Sequence, residues 1–220
     1  MRFKSIVPSA EIQAGRNRGS WMGLSFAAGT VNATALFCCE RYVTHVTGTL
    51  TRIGIHVQDW GLAADYFVVF LCFVVGAMAA VLLLDGRRLR GLPALPWLPL
   101  ATVSLILTGC ALAGHAGLFG AFGTEVETEH DFVLLSLLSL AMGLQNASVG
   151  NATGSLVRTT HATGPATDLG VALAFLLVRN LPAEHRLAAK RTAILRGSKL
   201  AAFVVGAGAA ALYVPPLGYL

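Results

Sequence analysis

The chain is short of charge. Only 12% of its 220 residues are Asp, Glu, Lys or Arg, against about 25% in a usual soluble domain. Polar side chains at that density cannot cover a globule of this size, which excludes a long soluble enzyme and a disordered chain. Cysteine is scarce and unpatterned. Cys38, Cys39, Cys72 and Cys110 stand in apolar stretches without Cys-x-x-Cys or Cys/His ligand spacing. Disulfides and zinc therefore drop out, and the four read as small hydrophobes facing lipid or other helices. Residues 1–18 lack an apolar core before a small-residue cleavage site, so they read as a polar leading segment rather than a cleaved signal. Neither a Ser/His/Asp set, nor His-Glu-x-x-His, nor a phosphate loop is found, so no enzyme and no cofactor is expected.

What is present is hydrophobic residue, 55% of the chain, at a mean hydropathy of +0.67. That composition describes a polytopic membrane protein. A bilayer core of about 30 Å needs about 20 apolar residues in a helix. Trp21–Cys39, Leu62–Leu84, Pro96–Phe119 and Phe132–Gly150 approach or pass that length, and Leu200–Val214 falls slightly short before Pro215-Pro216. Thr49–Val57 and Pro165–Val178 reach only about 14 and 21 Å at 1.5 Å per residue. They read as half-helices.

A duplication underlies this pattern. Gly29-Thr-Val-Asn32-Ala33 precedes Thr44-His45-Val-Thr47-Gly48-Thr-Leu-Thr51-Arg52-Ile-Gly54. Gly143-Leu-Gln-Asn146-Ala147 precedes Thr160-His161-Ala-Thr163-Gly164-Pro-Ala-Thr167-Asp168-Leu-Gly170. The matching residues are mostly polar, so shared hydrophobicity did not produce the match. The second copy is two residues longer between its blocks. The chain divides into a leading segment 1–18, repeat one at 19–84, a loop, connector helix and acidic loop at 85–131, repeat two at 132–214, and a tail at 215–220.

Thirteen of the sixteen bases cluster in residues 1–18, 85–91 and 179–199. Cytoplasmic loops collect Lys and Arg, which puts these three inside and the run Glu125, Glu127, Glu129, Asp131 outside. This also accounts for the pI near 9.3 without nucleic acid. Seven full spans would put the N-terminus and 85–91 on opposite sides. Five spans with two re-entrant half-helices put all three basic stretches inside. The expected architecture is thus an all-α polytopic membrane protein of two inverted repeats, each with one short broken or re-entrant helix, plus a connector helix. An all-spanning parallel repeat is the alternative.

Irregular backbone at membrane depth must line a cavity or pack in protein. Gly48 and Gly164 are expected to relax the chain at the two breaks. Pro165 suits the first position of a helix capped by Thr163 or Gly164, with Thr47 or Gly48 as the counterpart. Two helix N-termini near the midplane suit an anion or carboxylate. The candidate solute-binding residues are Asn32, His45, Thr47, Gly48, Thr51, Arg52, Asn146, His161, Thr163, Gly164, Thr167 and Asp168. Several have a second reading. His45 and His161 line the site or cap the breaks. Asn32 and Asn146 line a path or hold helices together. Arg52 and Asp168 pair across the repeat interface or snorkel to water separately. Asn32, Asn146 and Asn151 match glycosylation acceptors, but membrane depth argues against modification. The acidic run, with His130, reads as a solvated loop rather than a cation site. Pro182–Arg196 reads as an interfacial helix on anionic lipid, and Gly19/Gly23 and Gly150/Gly154 as spacings for close helix contact.

These motifs, with Thr-His-Val-Thr-Gly at 44–48 and Thr163-Gly164 before Thr167-Asp168-Leu-Gly170, resemble the YoaK family of bacterial membrane proteins, built on a domain of unknown function. The likeness runs from Gly19 to Ala210. Pro165 departs from the polar residue more usual after that glycine. The resemblance implies a multi-pass inner-membrane protein and no known substrate or catalytic residue. With the charge pattern it gives a cytoplasmic N-terminus. The function expected is a small transporter or channel for a small, anionic or other, solute at the repeat interface. The alternative is a non-transporting structural or partner-binding membrane protein. The bilayer is the expected partner, a homodimer is the fold-level analogy for so small a chain, and no nucleic acid or metal is expected.

Overall fold

The computed structural model describes residue 12 and residues 15–93, 95–123 and 128–219, and these contain seven helices and no strand. They are α1 Gly15–Cys39, α2 Val46–Ile55, α3 Trp60–Leu89, α4 Trp97–His115, α5 Glu129–Ala152, α6 Thr163–Leu177 and α7 Ala183–Leu217. Five of them, α1, α3, α4, α5 and α7, are long and apolar enough to cross a membrane. Their outer faces carry large exposed apolar side chains, among them Leu82, Leu105, Leu112, Val204 and Leu212. Water would penalise such a surface, and lipid would not. Trp60, Trp97 and Tyr213 are exposed near helix ends, where amphipathic rings favour the membrane–water interface.

Local chemistry sets several boundaries. The Asp59 carboxylate accepts from the Leu62 N–H (3.1 Å) and starts α3. Thr128 and Asp131 form a capping box that starts α5, so two members of the acidic stretch serve a helix N-terminus. Glu125 and Glu127 lie outside the described residues. The connector α4 ends at His115, short of the expected Phe119, where Gly117 (φ +81°) and Gly120 (φ +74°) turn the chain as L side chains rarely can. The expected interfacial helix and final span are one continuous α7, which runs through Pro215 and Pro216 in its last turn. Cys38, Cys39 and Cys110 are buried and Cys72 is half-buried, all as free thiols.

α5 is the most enclosed helix, packed against α3, α4 and α1, while α1 packs on α7. The two main helix pairs, α3 with α5 and α1 with α7, are locked alike. A Cβ on Gly29 would overlap the Phe203 carbonyl, and one on Gly206 would overlap that of Phe26. A Cβ on Gly143 would overlap the Phe73 carbonyl, and one on Gly76 that of Leu140. Backbones touch at all four points, which only glycine permits. Gly19, Gly23 and Gly150 meet nothing within 4 Å, so close contact is made elsewhere than the spacing suggested. These glycines mark a stretch of the duplication that the polar motifs leave out. Phe73-Val-Val-Gly76-Ala-Met-Ala-Ala80 and Phe203-Val-Val-Gly206-Ala-Gly-Ala-Ala210 agree at seven of eight positions. In that register Tyr66 matches Arg196 and Val69 matches Lys199.

Candidate functional site: a cavity between the two chain breaks

After α1 the chain doubles back. The Thr44 N–H and hydroxyl both donate to Asn32 Oδ1 (3.0 and 2.9 Å). Asn32 stands seven residues before the end of α1, about 10 Å back along it. Beyond α5 the chain does the same by another bond. Gln145 Nε2 donates to Thr159 Oγ1 (3.1 Å) and to the Leu24 carbonyl (3.0 Å), and Gln145 stands seven residues before the end of α5. The longer second break shifts this role from Asn146 to its neighbour. Asn146 Oδ1 is left buried with no hydrogen-bond donor.

α2 then begins at Val46 and α6 at Thr163. Each starts earlier than expected, with His45 and Ala162 as the N-cap residues and no side-chain cap on either. Pro165 therefore lies inside the first turn rather than opening it. Gly48 and Gly164 do not relax the chain, since neither has a positive φ. They make room instead. A Cβ on Gly48 would lie 2.6 Å from His45 Nδ1, and one on Gly164 3.0 Å from His161 Cε1. Each imidazole folds over the glycine three residues on.

A cavity of about 500 Å³ opens between the two breaks. Each described residue that lines it has its matched counterpart from the other copy in the lining as well. Asn32 faces in with Asn146, Thr44 with Thr160, His45 with His161, and Thr47 with Thr163. Phe73 and Phe203, the residues whose backbones rest on Gly143 and Gly29, supply apolar wall. Val46 with Ala162 and Tyr42 with Arg158 complete the set. Six of the twelve candidate residues thus come together: Asn32, His45, Thr47, Asn146, His161 and Thr163.

The other six do not line it. Thr51 donates to the Thr47 carbonyl (2.8 Å) and Thr167 to that of Thr163 (3.1 Å), each one turn beyond the cavity. Gly48 and Gly164 sit beneath the histidines. Arg52 and Asp168 do not form the expected pair. Asp168 pairs with Arg196 at 3.0 Å, and Arg52 lies 6.0 Å over the Tyr66 ring. Tyr66 and Arg196 are themselves matched positions, so each short helix turns this residue toward the next long helix of its own copy. Arg52 and Asp168 hold equivalent places in the two sequence copies and do not meet. Arg52 and Gly48 line a smaller cavity of about 230 Å³ with Arg41 and Tyr66, where Arg41 Nε donates to the Tyr66 hydroxyl (2.7 Å).

The pairs differ most at Tyr42 and Arg158. Arg158 brings a basic residue to the lining, and among the described residues no Asp or Glu lines it. Behind it, buried Lys199 donates to the Arg158 carbonyl and to that of His161 (3.2 Å). Arg196 donates to the Leu156 carbonyl (2.6 Å). Partial burial, then the charges of Lys199 and Arg158, hold His161 below the ordinary histidine value of 6.5 and favour its neutral ring. Sequence reasoning missed Tyr42, Thr44, Val46, Phe73, Arg158, Thr160, Ala162 and Phe203 as lining residues. The Phe-Val-Val-Gly duplication and the shared register with His45 and His161 were the signals for them.

A family model described as a protein of unknown function, DUF1275, matches residues 21–219. The chain belongs to that family. The match covers both breaks, both short helices, four candidate spans in full and the fifth, the first in the chain, from residue 21 onward in this DUF1275 protein. The family's description assigns no activity, so the chemistry rests on the cavity. No curated protein and no solved structure matches the chain.

Proposed function

We propose that this chain is a small inner-membrane transporter or channel, built from two inverted repeats, that carries a small, anionic solute through the cavity between its breaks. In this reading α2 and α6 are re-entrant, one entering from each face, and the N-terminus is cytoplasmic. The doubling-back of each break beside its own long helix supports re-entry, and the three basic stretches then share one side. The resemblance to the YoaK family supports the inner membrane. The observation that carries the reading is the composition of the cavity wall, seven matched pairs from the two copies. A duplicated unit that served folding alone would need no polar cavity at its axis, whereas alternating access in repeat-built transporters places the solute there.

Flux in proteoliposomes across a panel of anionic, neutral and cationic solutes tests this. Alanine at Thr47, Thr163, His45 or His161 should slow the transported solute at least about tenfold, about 1.4 kcal/mol. Absence of any flux, together with wild-type behaviour of these variants in cells, would leave a structural or partner-binding membrane protein. A sidedness map at 58–61, 86–91 and 179–185 tests the topology. Cytoplasmic labelling of 58–61 would rule out re-entry.

A further inference from the structure

From the wall of the cavity we infer that its solute is a small hydroxylated carboxylate, an inference that rests on the transport reading above. Three independent features define it. The first is charge. Among the described residues, Arg158 is the only Arg or Lys in the wall, and no Asp or Glu lines it. The nearest acid along the second short helix, Asp168, is held by Arg196. A negative charge on the solute meets the Arg158 cation, with the charge of buried Lys199 behind it adding to the attraction. The second is the pair of helix starts. The first turns of α2 and α6 border the cavity without side-chain caps, and their free N–H groups suit carboxylate oxygens.

The third is an acceptor left over. Asn146 is 7% exposed and lines the cavity, and its Oδ1 has no donor. The matched Asn32 Oδ1 has two, both from Thr44. A buried amide oxygen without a donor is expensive, so the solute should bring one. An ammonium would meet Arg158 with no acid to offset it. A hydroxyl satisfies Asn146 without adding charge. The two phenylalanines offer an apolar wall to the solute's carbon skeleton.

Lactate, propionate and alanine serve as probes of the full-length protein. Thermal unfolding in detergent reports binding, and uptake into proteoliposomes, corrected for protein-free vesicles, reports transport. Lactate should stabilise the protein and enter roughly tenfold faster than propionate, the worth of about one hydrogen bond to a buried group. Alanine should lag behind both. Asn146→Ala should remove the preference, so that lactate and propionate enter that variant at equal rates, and Arg158→Gln should abolish binding of both. The wild-type comparison of lactate with propionate needs no variant and stands if either variant fails to fold. Lactate binding without uptake would keep this site and overturn the transport reading. Uptake of another solute class, with no lactate binding, would keep transport and overturn this site. Equal rates for lactate and propionate would overturn the role of Asn146.

Discussion

The two chain breaks solve one geometric problem with different chemistry. Both turn the backbone alongside a long helix and launch a short one toward a common cavity. The first, residues 40–45, is six residues long, and a single amide, Asn32, takes both donors of Thr44. The second, residues 153–162, is ten residues long. More of its carbonyls lack a helical partner, and long cationic side chains from α7 reach them, Lys199 for Arg158 and His161 and Arg196 for Leu156. The matched positions on α3 hold Val69 and Tyr66. The two copies therefore retain backbone geometry, through glycine contacts at equivalent points, while the side chains at equivalent points have diverged in charge. This places a cation on one wall of an otherwise balanced cavity.

That contrast can be broken. Val69 is buried in the apolar core. Val69→Lys should cost about 3–5 kcal/mol, the range for an uncompensated buried charge, and should exceed the loss from Lys199→Met. Chemical denaturation in detergent checks the order, and equal losses would mean that the copies are interchangeable here. The glycine contacts should instead behave alike. Gly29→Ala and Gly143→Ala should each destabilise by about 1–3 kcal/mol, because a carbonyl must move. A large difference between the two would break the equivalence of the helix pairs.

Smaller effects sharpen the comparison. Asp168 is half exposed and its pair with Arg196 only partly buried, so Asp168→Asn should cost below about 1 kcal/mol. Arg52→Gln should act independently of it, and a double-mutant cycle should give additivity. The smallest effect concerns pH. His161 has its value lowered in the folded protein, so the unfolded chain binds the proton first as pH falls. Stability should be full above about 6.5 and decline below it. His161→Gln should flatten that decline, as thermal unfolding between pH 5.5 and 7.5 would report.

Much of the architecture was legible because it depends on local properties. Five long apolar segments became five long helices, although α2 and α6 begin earlier than their motifs suggested. Gly48 and Gly164 looked like hinges and proved to be spaces for His45 and His161, since a missing Cβ reads the same in sequence for either purpose. Half of the candidate residues reached the cavity. Thr51, Thr167, Arg52 and Asp168 did not, because helical rotation turned them away and sequence register carries no angle. Phe73 and Phe203 escaped notice because an apolar repeat inside an apolar span is hard to tell from composition.

Length, hydropathy and the polar duplication by themselves determined the number of long helices, the two short ones and the kinship of the two halves. These follow from turn-by-turn preferences that each segment satisfies alone. Only the tertiary structure decided that Asp168 belongs to Arg196, that Asn32 is satisfied and Asn146 is not, and that Arg158 faces the cavity without an acid. Those outcomes depend on how closely the glycine faces let four backbones approach and on the path left for each break, which no segment sets alone.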